Sequence, residues 1–196
     1  MFIEESIWIK KILEKEKDFL VGQVLDVGSS TLQFRTQTQP YIEENVFRPL
    51  REKGLSIFYL DKKESIGVDY VFDVESMNSK ETGKKFDLVI CCSLLEHVIA
   101  PERVCSLLID LTKKGGFLLI TVPRSYRYHL DPIDTMFRPS MKELISMFPG
   151  MEIIKKEVVY IKEKNNYNFS KISELLRYLI PKFNWKVNCL LMRKSI

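Results

Sequence analysis

Apolar residues fall along this chain in two rhythms. Short, nearly unbroken runs mark strands at 23–28, 56–60, 70–72, 86–92, 117–122, 158–161 and 187–192. Runs of that kind belong to sheets covered on both faces. Between them, apolar residues recur three and four positions apart, the spacing of one helix face. Ile9, Ile12, Leu13 and Leu20 give such a face over 2–20, and Ile42, Val46 and Leu50 give one over 41–53. Pro101 opens a helix that carries Val104, Leu107, Leu108 and Leu111. Ser140 and Glu143 read as a capping box ahead of Leu144, Ile145 and Phe148. Ser170 is placed to cap a last face of Ile172, Leu175, Leu176 and Leu179, which Pro181 ends.

The breakers sharpen this map. Gly22, Gly54 and Gly115-Gly116 separate elements, Pro49 is expected to kink or restart its helix, and Pro123 to stop the fifth strand. The polar stretch 29–40 has no period and reads as a long loop. The link 62–68 is too short for a crossover helix, so the place of 70–72 in the sheet is the least constrained. Strands and helices alternate from 22 to 148, which predicts an α/β fold with a mostly parallel sheet and helices on both faces. Such sheets bind ligands at the carboxyl ends of their strands. The turn in Val24-Leu25-Asp26-Val27-Gly28-Ser29-Ser30 is therefore the expected ligand turn, with Gly28 allowing close approach to the backbone. A buried strand followed by an ordinary loop is the plainer alternative.

Composition narrows the class. At 196 residues and 45% apolar, the chain suits one domain, 1–196, with 170–181 as a helical insert between the last two strands. The net charge of +4 is spread along the chain, so no nucleic-acid partner is expected. No apolar run approaches the roughly 18 residues of a membrane span. The first residues mix Glu and Lys with Ile and Trp, unlike a signal peptide, and the expected location is the cytoplasm. Cys91, Cys92, Cys105 and Cys189 lack ligand spacing, so buried free thiols and no metal are expected.

Five short matches follow one another in chain order. They are Leu25-Asp26-Val27-Gly28, Asp61 closing the second strand, Asp73-Val74 after the third, Phe86-Asp87-Leu88-Val89 through Leu95-Glu96-His97-Val98, and Lys114-Gly115-Gly116-Phe117-Leu118. In that order and strand context the chain resembles class I S-adenosylmethionine-dependent methyltransferases, in their small-molecule, type 11-like branch. The resemblance covers nearly the whole chain. It implies a Rossmann-like, seven-stranded sheet with an antiparallel last strand. It also implies S-adenosyl-L-methionine as cofactor and O-methyl transfer to a small-molecule or saccharide-type acceptor. Two features depart from the family. Ser30 and Leu32 stand where it usually has glycines, and the step from Asp26 to Asp61 exceeds the roughly 20 residues of nucleotide-binding units.

Under this resemblance each strand-end acid has a role. Asp61 suits the ribose hydroxyls, and Asp73 with the Val74 N–H suits the adenine. Asp26 suits the methionine ammonium, with the carbonyls of Cys92 and Ser93 beside it; Gly28, Ser29 and Ser30 complete the cofactor set. Each acid also has an ordinary alternative as a turn or loop residue. A hydroxyl acceptor benefits from a general base, and His97 and His129 are the two imidazoles available. Either also fits a structural role. His129 is followed closely by Asp131 and Asp134, two carboxylates that would orient it. The apolar face of 170–181 is expected to cover the acceptor pocket, a second subunit in a homodimer, or the core. The rival reading is a methyltransferase-like module that binds cofactor or a partner without turnover; the retained acids weigh against it. A nicotinamide enzyme would need Gly-x-Gly-x-x-Gly, which is absent.

Overall fold

The computed structural model describes residues 1–15, 22–130 and 133–195. Among these, seven strands form one sheet. They are β1 (Gln23–Val27), β2 (Ser56–Asp61), β3 (Tyr70–Val71), β4 (Phe86–Cys92), β5 (Thr112–Ser125), β6 (Met151–Tyr160) and β7 (Lys186–Lys194). Their order is β3-β2-β1-β4-β5-β7-β6. The first five pair in parallel, and β7 runs antiparallel to both β5 and β6. The expected Rossmann-like sheet with an antiparallel last strand is present. The helices are α1 (Ile3–Lys15), α2 (Pro40–Ile42), α3 (Arg48–Glu52), α4 (Pro101–Leu111), α5 (Met141–Ser146) and α6 (Ile172–Leu179).

Successive strand residues point to opposite faces, and both faces are apolar because helices cover both. Leu25, Val27, Val89, Leu118 and Ile120 pack in one cluster with Val104, Leu108 and Leu144 of α4 and α5. Val24, Leu88, Ile90 and Leu119 pack in the other with Ile9, Ile12 and Leu13 of α1 and Leu50 of α3. No helix of the described residues is long and apolar enough to cross a membrane.

Several boundaries differ from the sequence pattern, each for a local reason. The fifth strand does not stop at Pro123. β4 ends at Cys92, opposite Thr121, and beyond that point β5 pairs with β7 through Pro123 and Val187. A missing N–H then costs no ladder bond on the β4 side. β6 begins at Met151, well before 158. It is an edge strand whose exposed Glu152, Lys155, Lys156 and Glu157 hide its apolar rhythm. The stretch 29–40 is only partly loop, because Phe34–Thr38 forms a wide helical turn. A second wide turn, Glu43–Phe47, leads into α3. Pro49 lies in the first turn of α3, and in a regular helix its ring would meet the carbonyl four residues back, so the chain ahead of it is wound more loosely. β3 reaches the sheet without a crossover helix because it is two residues long and pairs only with the end of β2, Tyr70 opposite Leu60. Lys171, not Ser170, precedes α6, and Ser170 is held in a turn by Asn168. The N-terminal helix is seen from Ile3, and Leu20 lies outside the described residues.

Candidate active site

The carboxyl ends of β1, β2 and β4 open onto a cavity of about 500 Å³, a volume suited to a cofactor and a small acceptor. Asp26, Gly28, Ser29, Ser30, Asp61, Asp73, Val74, Cys92 and Ser93 all line it, as do His97 and His129. Residues singled out from five separate segments thus share one space.

The β1 turn is built to bring backbone close to a ligand. Gly28 has φ +78°, and a Cβ there would meet the Leu94 side chain at 3.0 Å. The N–H groups of Gly28 and Ser29 donate to the Leu60 carbonyl at 2.9 and 3.1 Å. Ser30 takes φ +54°, the left-handed conformation that a glycine holds at no cost. Two contacts hold it there. Its N–H donates to Asp61 Oδ2 at 2.7 Å. The buried Arg35 guanidinium donates to the carbonyls of Ser29 and Ser30 at 3.0 and 2.8 Å, and to that of Gly67 at 2.8 Å. It also stacks 3.8 Å from the Tyr59 ring centre. Arg35 escaped the sequence reading because one arginine in a polar stretch carries no pattern.

The acids differ in setting. Burial pushes the Asp26 carboxyl up to about 7, against the opposing pull of Arg35. Asp61 accepts from Ser30 N–H at Oδ2 and from Lys63 N–H at Oδ1, 2.9 Å away. Each of its oxygens keeps a second lone-pair direction for a ligand hydroxyl. Asp73 is exposed and fixes its turn by accepting from Glu75 N–H at 2.9 Å. A further carboxylate comes from α1. Glu5 is fully buried and accepts from Thr121 Oγ1 and from Phe2 N–H, while Met1 and Phe2 line the cavity. On an amphipathic helix an acid reads as solvent-facing, so Glu5 gave no signal.

Opposite the β1 turn, the segment after β4 meets the loop after β5. Glu96 is 1% exposed, and burial pushes its carboxyl up to about 8. His97 Nε2 lies 3.8 Å from Glu96 Oε1, and its Nδ1 meets the Ile133 carbonyl. The ring centres of His97 and His129 are 5.1 Å apart. Thr135 donates through N–H and Oγ1 to the Glu96 carbonyl, at 2.9 and 3.0 Å, and so ties the two segments. Asp134 holds His129 Nδ1 at 3.1 Å. Burial alone would raise the Asp134 carboxyl, but hydrogen bonds from Arg138, Met136 and His129 hold it below the usual range. Asp131 lies outside the described residues, so Asp134 is the flanking carboxylate placed beside the imidazole.

Of the three roles expected for the α6 face, it takes neither the core nor the cavity wall: Ile172, Leu175, Leu176 and Leu179 are 78, 39, 46 and 62% exposed, and none of them lines the cavity. The segment before it supplies the wall instead: Glu163, Asn165 and Asn166 line the cavity, and Tyr126 Oη donates to Asn166 Oδ1 at 3.3 Å.

A family model described as a methyltransferase domain matches residues 6–155. The chain belongs to that methyltransferase family. This methyltransferase is similar to the ubiquinone biosynthesis O-methyltransferase of Shewanella pealeana, 26% identical over 80% of this chain and 71% of that protein. A protein of the same name from Shewanella halifaxensis is 31% identical, over 34% of this chain and 28% of its own length. The fold is shared with coclaurine N-methyltransferase bound to N-methylheliamine and SAH, with TM-score 0.63, 13% identity, and 97% and 72% of the two chains covered. It is shared too with magnesium protoporphyrin IX methyltransferase of Synechocystis with bound SAM, with TM-score 0.60, 12% identity, and 98% and 79% covered. The cofactor is S-adenosyl-L-methionine, and the donor set fits it. Carboxylates stand at two strand ends of the cavity, with a glycine and a left-handed serine in the turn between them.

Proposed function

We infer that this methyltransferase moves the methyl group of S-adenosyl-L-methionine onto a hydroxyl oxygen of a small-molecule or saccharide-type acceptor. One observation carries the reading: the strand-end acids and both imidazoles line a single cavity. The similarity to O-methyltransferases supports oxygen as the acceptor atom. Bound cofactor supplies a methyl group already activated by sulfonium, so the protein contributes chiefly position. Asp61 accepts hydrogen bonds from the vicinal ribose hydroxyls, Asp73 and the Val74 N–H hold the adenine, and Asp26 pairs with the ammonium. Cys92 and Ser93 offer carbonyls to that ammonium. His97 and His129 take the acceptor's hydroxyl proton. Tyr126, Asn165 and Asn166 bound the acceptor end with one aromatic face and two amides, which suits a ring bearing hydroxyls.

Two measurements test this. Asp61→Ala should weaken cofactor binding by about 1–3 kcal/mol, the cost of losing charge-assisted hydrogen bonds. An unchanged dissociation constant would place the ribose elsewhere. With an acceptor found by a labelled-methyl screen, His129→Ala should cut turnover by about 10²–10⁴ and leave cofactor affinity intact. Wild-type turnover in that variant would pass the proton to His97.

A further inference from the structure

Three side chains converge at the acceptor end of the cavity from two segments far apart in the chain. Glu96 and His97 follow β4, and His129 follows β5. One ligand atom from each lies within 4.8 Å of the other two. Two further observations separate this cluster from a chance meeting of polar groups. Glu96 is 1% exposed, lines the cavity, and has no hydrogen-bond partner at Oε2. A buried carboxyl oxygen without a partner is costly unless a proton or a cation meets it. Each imidazole is also held from behind at Nδ1. His97 is held by the Ile133 carbonyl, and His129 by the Asp134 carboxylate at 3.1 Å and the Arg127 carbonyl at 3.3 Å. An Nδ1–H given to oxygen puts the lone pair on Nε2, which is how metal-binding imidazoles are oriented. We propose that Glu96, His97 and His129 form a divalent-cation site of two imidazoles and one carboxylate, with its remaining positions open to the cavity.

The donor set selects the cation. Two imidazoles and a carboxylate suit Zn²⁺, Fe²⁺ or Co²⁺, whereas Mg²⁺ and Ca²⁺ prefer oxygen throughout. Bonds of about 2.0–2.2 Å put tetrahedral ligand atoms roughly 3.4 Å apart, so the three groups close by up to about 1.4 Å on binding. Thr135 already ties the His129 loop to Glu96, which keeps that closure local.

The inference rests on the hydroxyl-transfer reading and deepens it. A cation held there would bind the acceptor's hydroxyl oxygen and lower its pKa, and the released proton would pass to water in the cavity. The oxygen then bonds to the methyl carbon as the carbon–sulfur bond breaks, and that bond's electron pair stays on sulfur. Expanded to five positions, the cation would take both oxygens of a vicinal diol, so the favoured acceptor is a chelating diol.

Cobalt is the probe. Untagged protein titrated with Co²⁺ alone should develop visible absorption bands unlike those of aqueous Co²⁺, saturating at one equivalent. Glu96→Gln and His129→Ala should lose those bands while keeping cofactor binding and the thermal transition. If Glu96→Gln does not fold, the His97→Gln/His129→Gln pair carries the same test. Asp134→Asn, which removes none of the three ligands but loosens the hold on His129 Nδ1, should keep the bands with roughly 10–100-fold weaker affinity. No bands in the wild type, or bands surviving in His97→Ala/His129→Ala, would overturn the site. The two readings fail separately. Hydroxyl methylation insensitive to chelator, without cobalt bands, removes the cation alone. Cobalt bands without methyl transfer to any hydroxyl acceptor remove the transfer reading.

Discussion

Burial beneath the β1 turn pushes the Asp26 carboxyl up to about 7, and Arg35 offsets this only in part. An unfolded aspartate titrates near about 3.9. Between those values the folded chain holds a proton that the unfolded chain has released. Stability therefore falls as pH rises through this window and levels off above about 7. Asp26→Asn should flatten that part of a urea-derived stability profile; a slope that persists would belong to another group. A cationic cofactor prefers the ionised carboxylate. Below about 7 its dissociation constant should rise by up to about tenfold for each pH unit of acidification, and calorimetry on Asp26→Asn should show no such trend. Residues that end a strand were legible in the sequence, as Asp26, Asp61 and Asp73 show, because a sharp change from apolar to acidic is itself a pattern. Arg35 and Glu5 were not, because their burial comes from contacts across the fold, with Gly67 and Thr121 respectively.

Elements were legible where local chemistry closes on itself. Ser140 and Glu143 form their capping box as read, with Glu143 N–H donating to Ser140 Oγ at 3.2 Å. They were illegible where a neighbour decides, as at Pro123, tolerated because β4 has ended, and at Met151, hidden by the charges of an edge strand. α6 combines the two cases. Its periodicity is real, yet Leu176 and Leu179 are 46 and 62% exposed. Since this face rests on no core, Leu176→Glu with Leu179→Glu should change unfolding free energy by no more than about 0.5 kcal/mol per site. The thermal midpoint at low protein concentration checks this. A drop of several degrees, with a change in sedimentation, would instead show the face buried between two copies.

At the scale of the whole molecule, the sheet divides the apolar interior in two, and the strands belong to both parts. Leu25 and Val27 face the cluster that includes Leu108 of α4, while Val24 faces the one that includes Ile9 of α1. The first helix also reaches the far edge of the sheet, where Trp8 Nε1 donates to Glu157 of β6 at 3.0 Å. Neither helical layer is complete without strands drawn from both halves of the chain, so residues 1–196 should unfold as one unit. Ile9→Ala and Leu108→Ala remove fully buried side chains on opposite faces, and each should cost about 2–5 kcal/mol. Lying on opposite sides of the sheet without shared partners, the two costs should add to within about 0.5 kcal/mol. Fluorescence of Trp8 and Trp185 reports the α1 face, where both are buried, and far-ultraviolet circular dichroism reports the whole backbone. Coincident urea transitions by the two probes, shifted together by either substitution, are the expected result. If Leu108→Ala moved the dichroism transition and left the fluorescence transition in place, the two faces would be separate folding units and the single-domain reading would fall.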